Sequence, residues 1–447
     1  MSSKDNGKGK HILVLGAGLV TRPLIDYLLA IPDFRLTVAT RTVSKAEKMI
    51  GGNPRAKAVT LNVEDDASLR EMVKGADLVI SLVPYAYHVR VAKLCLEFKA
   101  HFVSTSYVSP EMRALDGAAR KAGLLLLNEI GLDPGIDHMS AMKIIHDVER
   151  RGGKVVSFTS NCGGLPAPEA NTNPWGYKFS WSPRGVVLAA RNAAEYLWQG
   201  EMRKIPGPEL FTDVRRMEVE GLGAYEVYPN RNSMGYQAIY GLDDAQTIFR
   251  GTFRNLGHCA TWKAIADCGW LDLEEKPTKG MTFGRFFAEL IHSHGDLKQD
   301  LARFLKIDEK ADPIARMEWL GLLSNEPIPG AGAQSPLDVL AARLLVKLPF
   351  QTGERDMVIL QHNFETSHTE HKGERISSTL IDFGIPNGDS SMARTVSLPA
   401  AIAARMILQG KIAITGVHIP VLPEIYNPVL DELAANNIAF KESRQGL

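Results

Sequence analysis

His11-Ile12-Leu13-Val14-Leu15-Gly16-Ala17-Gly18-Leu19-Val20-Thr21 is the stretch on which the fold turns. The apolar residues from Ile12 to Leu15 leave no polar face, so both sides of the segment need cover, as in an inner strand of a parallel sheet. Leu24, Ile25, Tyr27, Leu28 and Leu29 then follow at helical spacing. Strand, glycine turn and helix together form the context of a dinucleotide fingerprint. Gly16 permits the tight turn and Gly18 lets the backbone approach a pyrophosphate. Ala17, Leu19 and Val20 complete a loop whose following helix offers N–H donors and the positive end of its dipole. Thr21 replaces the third glycine of the fingerprint, and Pro23 falls in the first helical turn, where its missing N–H is harmless.

Working outward, short apolar runs alternate with helical patterns. Strands are predicted at His11–Leu15, Arg35–Thr40, Ala58–Leu61, Leu78–Leu82, His101–Ser104 and Gly123–Leu127. This pattern predicts an α/β fold, a doubly wound parallel Rossmann sheet. After Asn128 the texture turns to Gly, Pro and aromatic clusters, such as Cys162-Gly163-Gly164-Leu165-Pro166, and a second, mixed α+β domain is expected. Val358–Thr366 and Ser377–Phe383 read as a hairpin around a polar turn containing Lys372-Gly373. Trp175, Tyr177, Phe179 and Trp181 alternate with period two and predict one strand face, with Lys178 and Ser182 projecting into a cleft. Helices are expected over Pro399–Leu408 and Ile425–Leu433.

The end of the second strand discriminates between nicotinamide cofactors, because a carboxylate there would bind a ribose 2'-hydroxyl and repel a 2'-phosphate. The place reads Ala39-Thr40-Arg41-Thr42-Val43-Ser44-Lys45. Arg41 suits a phosphate dianion and points to NADPH, although a solvated charge at a strand end would look the same. Asn62 and Val63 are placed to flank the adenine, with Val83 on the same carboxyl edge of the sheet.

Lys plus Arg balance Asp plus Glu at 51 each, which leaves no field to gather nucleic acid or an anionic membrane. The four cysteines form no CxxC pair, and no stretch approaches the roughly 20 apolar residues of a membrane span. A cytoplasmic protein is expected. His292, His294, His362, His368 and His371 lack an accompanying ligand set, so no metal is expected.

Longer strings then carry a resemblance. Ser81-Leu82-Val83-Pro84-Tyr85, Thr105-Ser106-Tyr107, Asn128 through His138 and Gly163 through Pro168 resemble the saccharopine dehydrogenase family. Gly176 through Ser182, Tyr228-Pro229-Asn230-Arg231, Arg250 through Arg254, Glu354 through Val358 and Ser390 through Ala393 resemble its fungal, NADP-dependent, L-glutamate-forming branch. The likeness runs nearly end to end. It implies that L-2-aminoadipate 6-semialdehyde condenses with L-glutamate and that NADPH reduces the imine to saccharopine, in lysine biosynthesis. It implies a homodimer, and a nucleotide domain of residues 1–133 rejoined by 391–447, with 134–390 as substrate and dimerisation domain. The rival readings are an NAD-dependent relative of lysine breakdown and a non-catalytic NADP sensor.

Saccharopine carries three carboxylates and a secondary amine, so its site needs fixed cations and polar donors. Arg231 and Arg254 stand among turn residues and can clamp carboxylates, or form surface ion pairs. The resemblance favours Arg231 with the backbone of Gly251, Thr252 and Phe253. Thr105, Ser106 and Tyr107 follow the fifth strand, where they can reach nicotinamide and substrate or cap the next helix. Leu132, Asp133 and Pro134 follow the sixth strand, as cofactor and substrate contacts or as a simple Asp-Pro-Gly turn. Asp133 is the candidate electrostatic anchor, and Tyr107 or Cys162 the candidate acid–base group. Cys162 is equally a packing residue unless Gly163-Gly164 admits a ligand. Tyr85 and His88 open a helix and are expected to pack.

Overall fold

The computed structural model describes residues 9–181, 183–330, 332–368 and 372–447. They divide into two compact units, residues 1–152 with 388–441, and residues 153–387 with 442–447.

In the first unit, β1 (Lys10–Leu15), β2 (Phe34–Thr40), β3 (Ala56–Thr60), β4 (Leu78–Ser81), β5 (His101–Ser104) and β6 (Leu125–Leu127) form one sheet. Its order is β6-β5-β4-β1-β2-β3, and the Gly416–His418 strand extends it beside β6. All neighbours are parallel. Ile12, Leu13, Val14 and Leu15 are fully buried, as their unbroken apolar run requires at the sheet centre. Helices α1 (Arg22–Leu29), α2 (Val43–Ile50), α3 (Asp66–Lys74), α4 (His88–Phe98), α5 (Pro110–Arg113) and α6 (Asp116–Ala122) make the crossovers. α1 turns Leu24, Ile25, Leu28 and Leu29 inward, each burial contributing about 2 kcal/mol. It packs on the Ser391–Leu408 helix, whose small residues Ala400, Ala401, Ala403 and Ala404 are fully buried.

α7 (Ile136–Arg150) also belongs to the first unit, packed against the Pro423–Ala435 helix, where His146 Nδ1 lies 2.8 Å from the Tyr426 hydroxyl. The division between units therefore falls after Gly152, whereas the sequence reading ended the nucleotide domain at residue 133. The returning segment begins at Gly388, and Glu442–Leu447 groups with the second unit.

The second unit is built on a mixed sheet around β7 (Gly153–Pro166). β7 pairs parallel with Thr247–Arg254 on one side and antiparallel with Asp356–His368 on the other. Asp356–His368 and Glu374–Phe383 form the expected hairpin; residues 369–371, with His371, lie outside the described residues. A helical lobe packs its own aromatic core, including Trp175, Trp262, Trp270 and Phe287.

One expected strand is absent. Residues 173–180 form no strand, and Trp175, Tyr177 and Phe179 are all buried in the core of that lobe. The period-two pattern misleads because loop partners hold the segment. Asn173 accepts the Trp175 N–H, Phe179 donates to the Leu348 carbonyl, and Trp175 Nε1 donates to the Arg316 carbonyl.

Candidate active site

The glycine loop has the geometry of a phosphate cradle. Gly16 adopts φ +108°, and a Cβ there would stand 3.0 Å from the Leu82 carbonyl oxygen. A Cβ on Gly18 would meet nothing within 4 Å, so its face is open to a ligand. The backbone N–H groups of Leu19 and Val20 have no partner among the described residues. Thr21 explains the missing third glycine: it is fully buried, and its Oγ1 accepts the Gly18 N–H at 3.0 Å. A side chain that closes the turn from within stands where the fingerprint has a glycine.

At the end of β2, Ala39 is buried and its carbonyl accepts the Gly16 N–H at 2.9 Å. Thr40 accepts the Leu61 N–H through its carbonyl, bringing the start of the Asn62-Val63 segment beside Arg41. Arg41 is exposed and has no hydrogen-bond or ion-pair partner among the described residues. Asn62 is exposed and Val63 half-buried. The nearby Glu64 carboxyl is held below its ordinary range, first by the Tyr87 hydroxyl and then by Asn62. These residues leave the end of β2 and the start of the Asn62-Val63 segment open beside the glycine turn.

The nicotinamide edge is organised by residues after β5 and β6. The Tyr107 hydroxyl donates to Asp133 Oδ1 at 3.2 Å, bringing two predicted catalytic side chains into contact. Ser109, rather than Ser106 or Tyr107, caps α5, accepting the Met112 N–H. Thr105 packs against Gly131, and Val83 is half-buried. Leu132 and Pro134 are buried, with Asp133 half-buried between them. This is more than a simple turn: the Gly131 N–H donates to the Pro134 carbonyl, and a Cβ on Gly135, at φ +147°, would stand 2.1 Å from the Gly131 oxygen. The Asp133–Pro134 bond is cis.

One residue to which sequence reasoning gave no role holds this loop. Glu129, at φ +57° and buried, accepts the Val108 N–H at 2.9 Å through Oε1 and faces His138 Nε2 at 2.7 Å through Oε2. Its own N–H donates to the Ser106 carbonyl. Glu129 thus ties the Tyr107 segment to the Asp133 loop and to α7. Glu129→Ala leaves the buried His138 Nε2 and the half-buried Val108 N–H without this carboxylate and is expected to remove about 3 kcal/mol of stability; Glu129→Gln should retain part of it. An unchanged urea midpoint for Glu129→Ala would remove this role. The only signal in the sequence is an acidic residue just after the buried β6, ahead of Ile130.

In the second unit, Cys162 stands in β7 opposite Thr252 on one side and Leu360 on the other. Thr252 and Arg254 share its face of the sheet, because paired residues and alternate positions point the same way. Gly251 and Phe253 take the other face: a Cβ on Gly251 would stand 2.3 Å from Val227 and 2.5 Å from Asn161 Oδ1, and Phe253 is fully buried. Gly163 does not open space for a ligand either, since Phe253 fills it, with its oxygen 2.6 Å from the position of a Cβ. Cys162 forms no disulfide and is 8% exposed.

Arg254 is not a surface ion pair. It is buried over the rings of Tyr177 and Tyr228, donates from Nη1 to the Phe253 carbonyl at 2.8 Å, and its Nε has no hydrogen-bond partner among the described residues. Glu226, across the ladder, is taken up by the Gly257 and Cys259 N–H groups. His258 remains neutral there, its pKa driven far down by burial and then by the charge of Arg254. Arg231 is exposed at φ +55°, two residues beyond the strand that pairs Pro229 with Gly251. Lys178 does not project into a cleft: it is 4% exposed and bonds Glu354 at 2.5 Å and Thr172 at 3.0 Å. Ser182 lies outside the described residues. Among the described residues no group of three or more His, Cys, Asp or Glu could hold a metal ion, and no helix is long and apolar enough to cross a membrane.

A Rossmann sheet with an open glycine turn, an exposed arginine at the end of the second strand and a Tyr–Asp pair at its carboxyl edge is the frame of an NADP-dependent oxidoreductase. Residues 12–127 match the saccharopine dehydrogenase NADP binding domain, and residues 131–438 match the saccharopine dehydrogenase C-terminal domain. The chain belongs to the saccharopine dehydrogenase family. It is 41% identical to the saccharopine dehydrogenase [NADP(+), L-glutamate-forming] of Schizosaccharomyces pombe, over 96% of this chain and 98% of that protein. It is 36% identical to the mitochondrial alpha-aminoadipic semialdehyde synthase of Bos taurus, over 98% of this chain and 48% of that protein. The apo saccharopine dehydrogenase (L-Glu forming) of Saccharomyces cerevisiae superposes with a TM-score of 0.90 at 39% identity, covering 98% of this chain and all of that one.

Proposed function

We propose that this chain is an NADPH-dependent reductase that joins L-2-aminoadipate 6-semialdehyde to L-glutamate and reduces the imine to saccharopine. The observation that carries the reading is the Tyr107–Asp133 hydrogen bond at the carboxyl edge of the nucleotide sheet, where ligands of such folds bind. Bound NADPH supplies the hydride. The protein's task is orientation and proton handling: the glutamate ammonium must lose a proton, and the carbinolamine hydroxyl must leave as water. Asp133 anchors the nitrogen that becomes cationic, and Tyr107 O–H moves a proton on and off the leaving oxygen. Cys162 is the second candidate for that proton, and Thr252 lies beside it. Arg231 and Arg254 bind substrate carboxylates, Arg254 as a buried cation whose Nε needs an acceptor. Arg41 selects NADPH and disfavours the NAD-dependent alternative.

The same reading makes the protein a cytoplasmic homodimer. Four buried cysteines outside any disulfide support the reducing compartment, and the dimer is carried over from the family resemblance.

The test is oxidation of saccharopine with NADP, followed by the absorbance of the reduced nicotinamide. Turnover with NADP well above that with NAD is expected, and no turnover with either rejects the enzyme in favour of a nucleotide sensor. Arg231→Ala should raise the KM for saccharopine about tenfold or more while leaving that for NADP within about twofold. Equal changes in both would remove Arg231 from the substrate's contacts.

A further inference from the structure

The first residue of α4, His88, is 4% exposed and sits among three serine hydroxyls. Its Nδ1 lies 2.9 Å from Ser81 Oγ at the end of β4. Its Nε2 lies 2.9 Å from Ser106 Oγ and 3.2 Å from Ser104 Oγ, the latter also accepting the Ser106 N–H at 3.1 Å. The Phe102 ring closes one side at 6.1 Å. Ser81 and Ser104 are fully buried, while Ser106 is half-buried. Burial pushes the pKa of His88 down to about 4, so the ring is neutral at working pH, with one nitrogen donating and the other accepting. Burial requires partners for both ring nitrogens, and here one of the partners, Ser106, is the neighbour of Tyr107, whose hydroxyl donates to Asp133.

We infer that His88 is a positioning residue: its Nε2 fixes the Ser106 hydroxyl, and with it the Ser106–Tyr107 segment, at the edge where nicotinamide and substrate meet. The inference rests on the proposed reductase activity and deepens it. The chain of contacts is short. His88 holds Ser106, Glu129 holds the Ser106 carbonyl and the Val108 N–H, and Tyr107 between them donates to Asp133. A hydroxyl free to rotate would loosen the geometry at which hydride transfer is set, and sub-ångström misplacement is enough to matter.

The test uses two variants of different reach. The amide of His88→Asn overlays Nδ1 and keeps the Ser81 contact but falls short of Ser106, whereas His88→Gln extends to the place of Nε2. His88→Asn should lower kcat/KM for saccharopine about tenfold, with the dissociation constant for NADPH within about twofold, and His88→Gln should restore most of the loss. In a Ser106→Ala background, His88→Asn should cost less than about twofold, because the group it acts through is gone. The pH profile of His88→Asn should keep both limbs between pH 6 and 9, since the ring carries no charge there. Additive losses in the double variant, or failure of His88→Gln to recover, overturn the positioning role; a lost limb overturns it in favour of acid–base work. Should His88→Asn not fold, the nitrogen-15 resonance of the His88 Nε2 in otherwise native protein decides: it must move on Ser106→Ala, and a fixed resonance overturns the inference. Absence of saccharopine turnover by the native chain would reject the proposed activity; turnover with additive losses rejects only the role of His88.

Discussion

Arg41→Asp raises the dissociation constant for NADPH about a hundredfold, the sum of lost charge-assisted hydrogen bonds and new repulsion of the 2'-phosphate at roughly 1.4 kcal/mol per tenfold. The residue carries this much because the guanidinium is exposed at the end of β2 with no hydrogen-bond or ion-pair partner among the described residues, only the more distant charge of Glu64. Its removal therefore breaks no internal contact, and stability should be unchanged. The new carboxylate lies where it can accept from a ribose 2'-hydroxyl, so NADH binding should hold or improve. Titrating both cofactors by nicotinamide fluorescence gives the comparison directly. Unaltered NADPH affinity would place the 2'-phosphate elsewhere, with Lys45 the next cation along the chain.

Asp133→Asn lowers kcat for saccharopine formation by about a hundredfold or more, within the range that one positioned proton-handling group supplies. The amide can still accept from the Tyr107 hydroxyl, so the variant isolates the carboxylate charge from the hydrogen bond. The KM for NADPH should move little, and the melting temperature should match the native protein. Tyr107→Phe removes the other half of the pair; if the two act as a unit, the double variant is hardly slower than the worse single one. A kcat for Asp133→Asn within about threefold of native would take Asp133 out of the chemistry and leave it a loop residue.

The nucleotide unit was legible because its signals are local. An unbroken apolar run, two glycines in the turn and an arginine at the next strand's end each declare themselves within a few residues. All six predicted strands form, each within about three residues of its expected ends. The remainder depended on partners far along the chain. Trp175 to Trp181 alternates like a strand, yet its hydrogen bonds go to Leu348 and Arg316. Lys178 looked free until Glu354 arrived beside it, 176 positions later. Gly163 suggested room for a ligand that Phe253 fills. His88 read only as a packing residue and Glu129 drew no reading for the same reason: one contacts hydroxyls 7, 16 and 18 positions away, the other an amide 21 positions back and an imidazole 9 ahead.

The sheet that holds the cofactor borrows its outermost strand, Gly416–His418, and the helix lying on α1, Ser391–Leu408, from beyond residue 388. During synthesis the ribosome delivers β1 to α7 first and then residues 153–387 of the second unit before those pieces exist. The inserted body is therefore free to mature while the nucleotide half waits with the apolar side of α1 bare to water. Newborn chains stalled before residue 388 should accordingly be clients of holding chaperones, and nucleotide binding should be among the last properties to emerge.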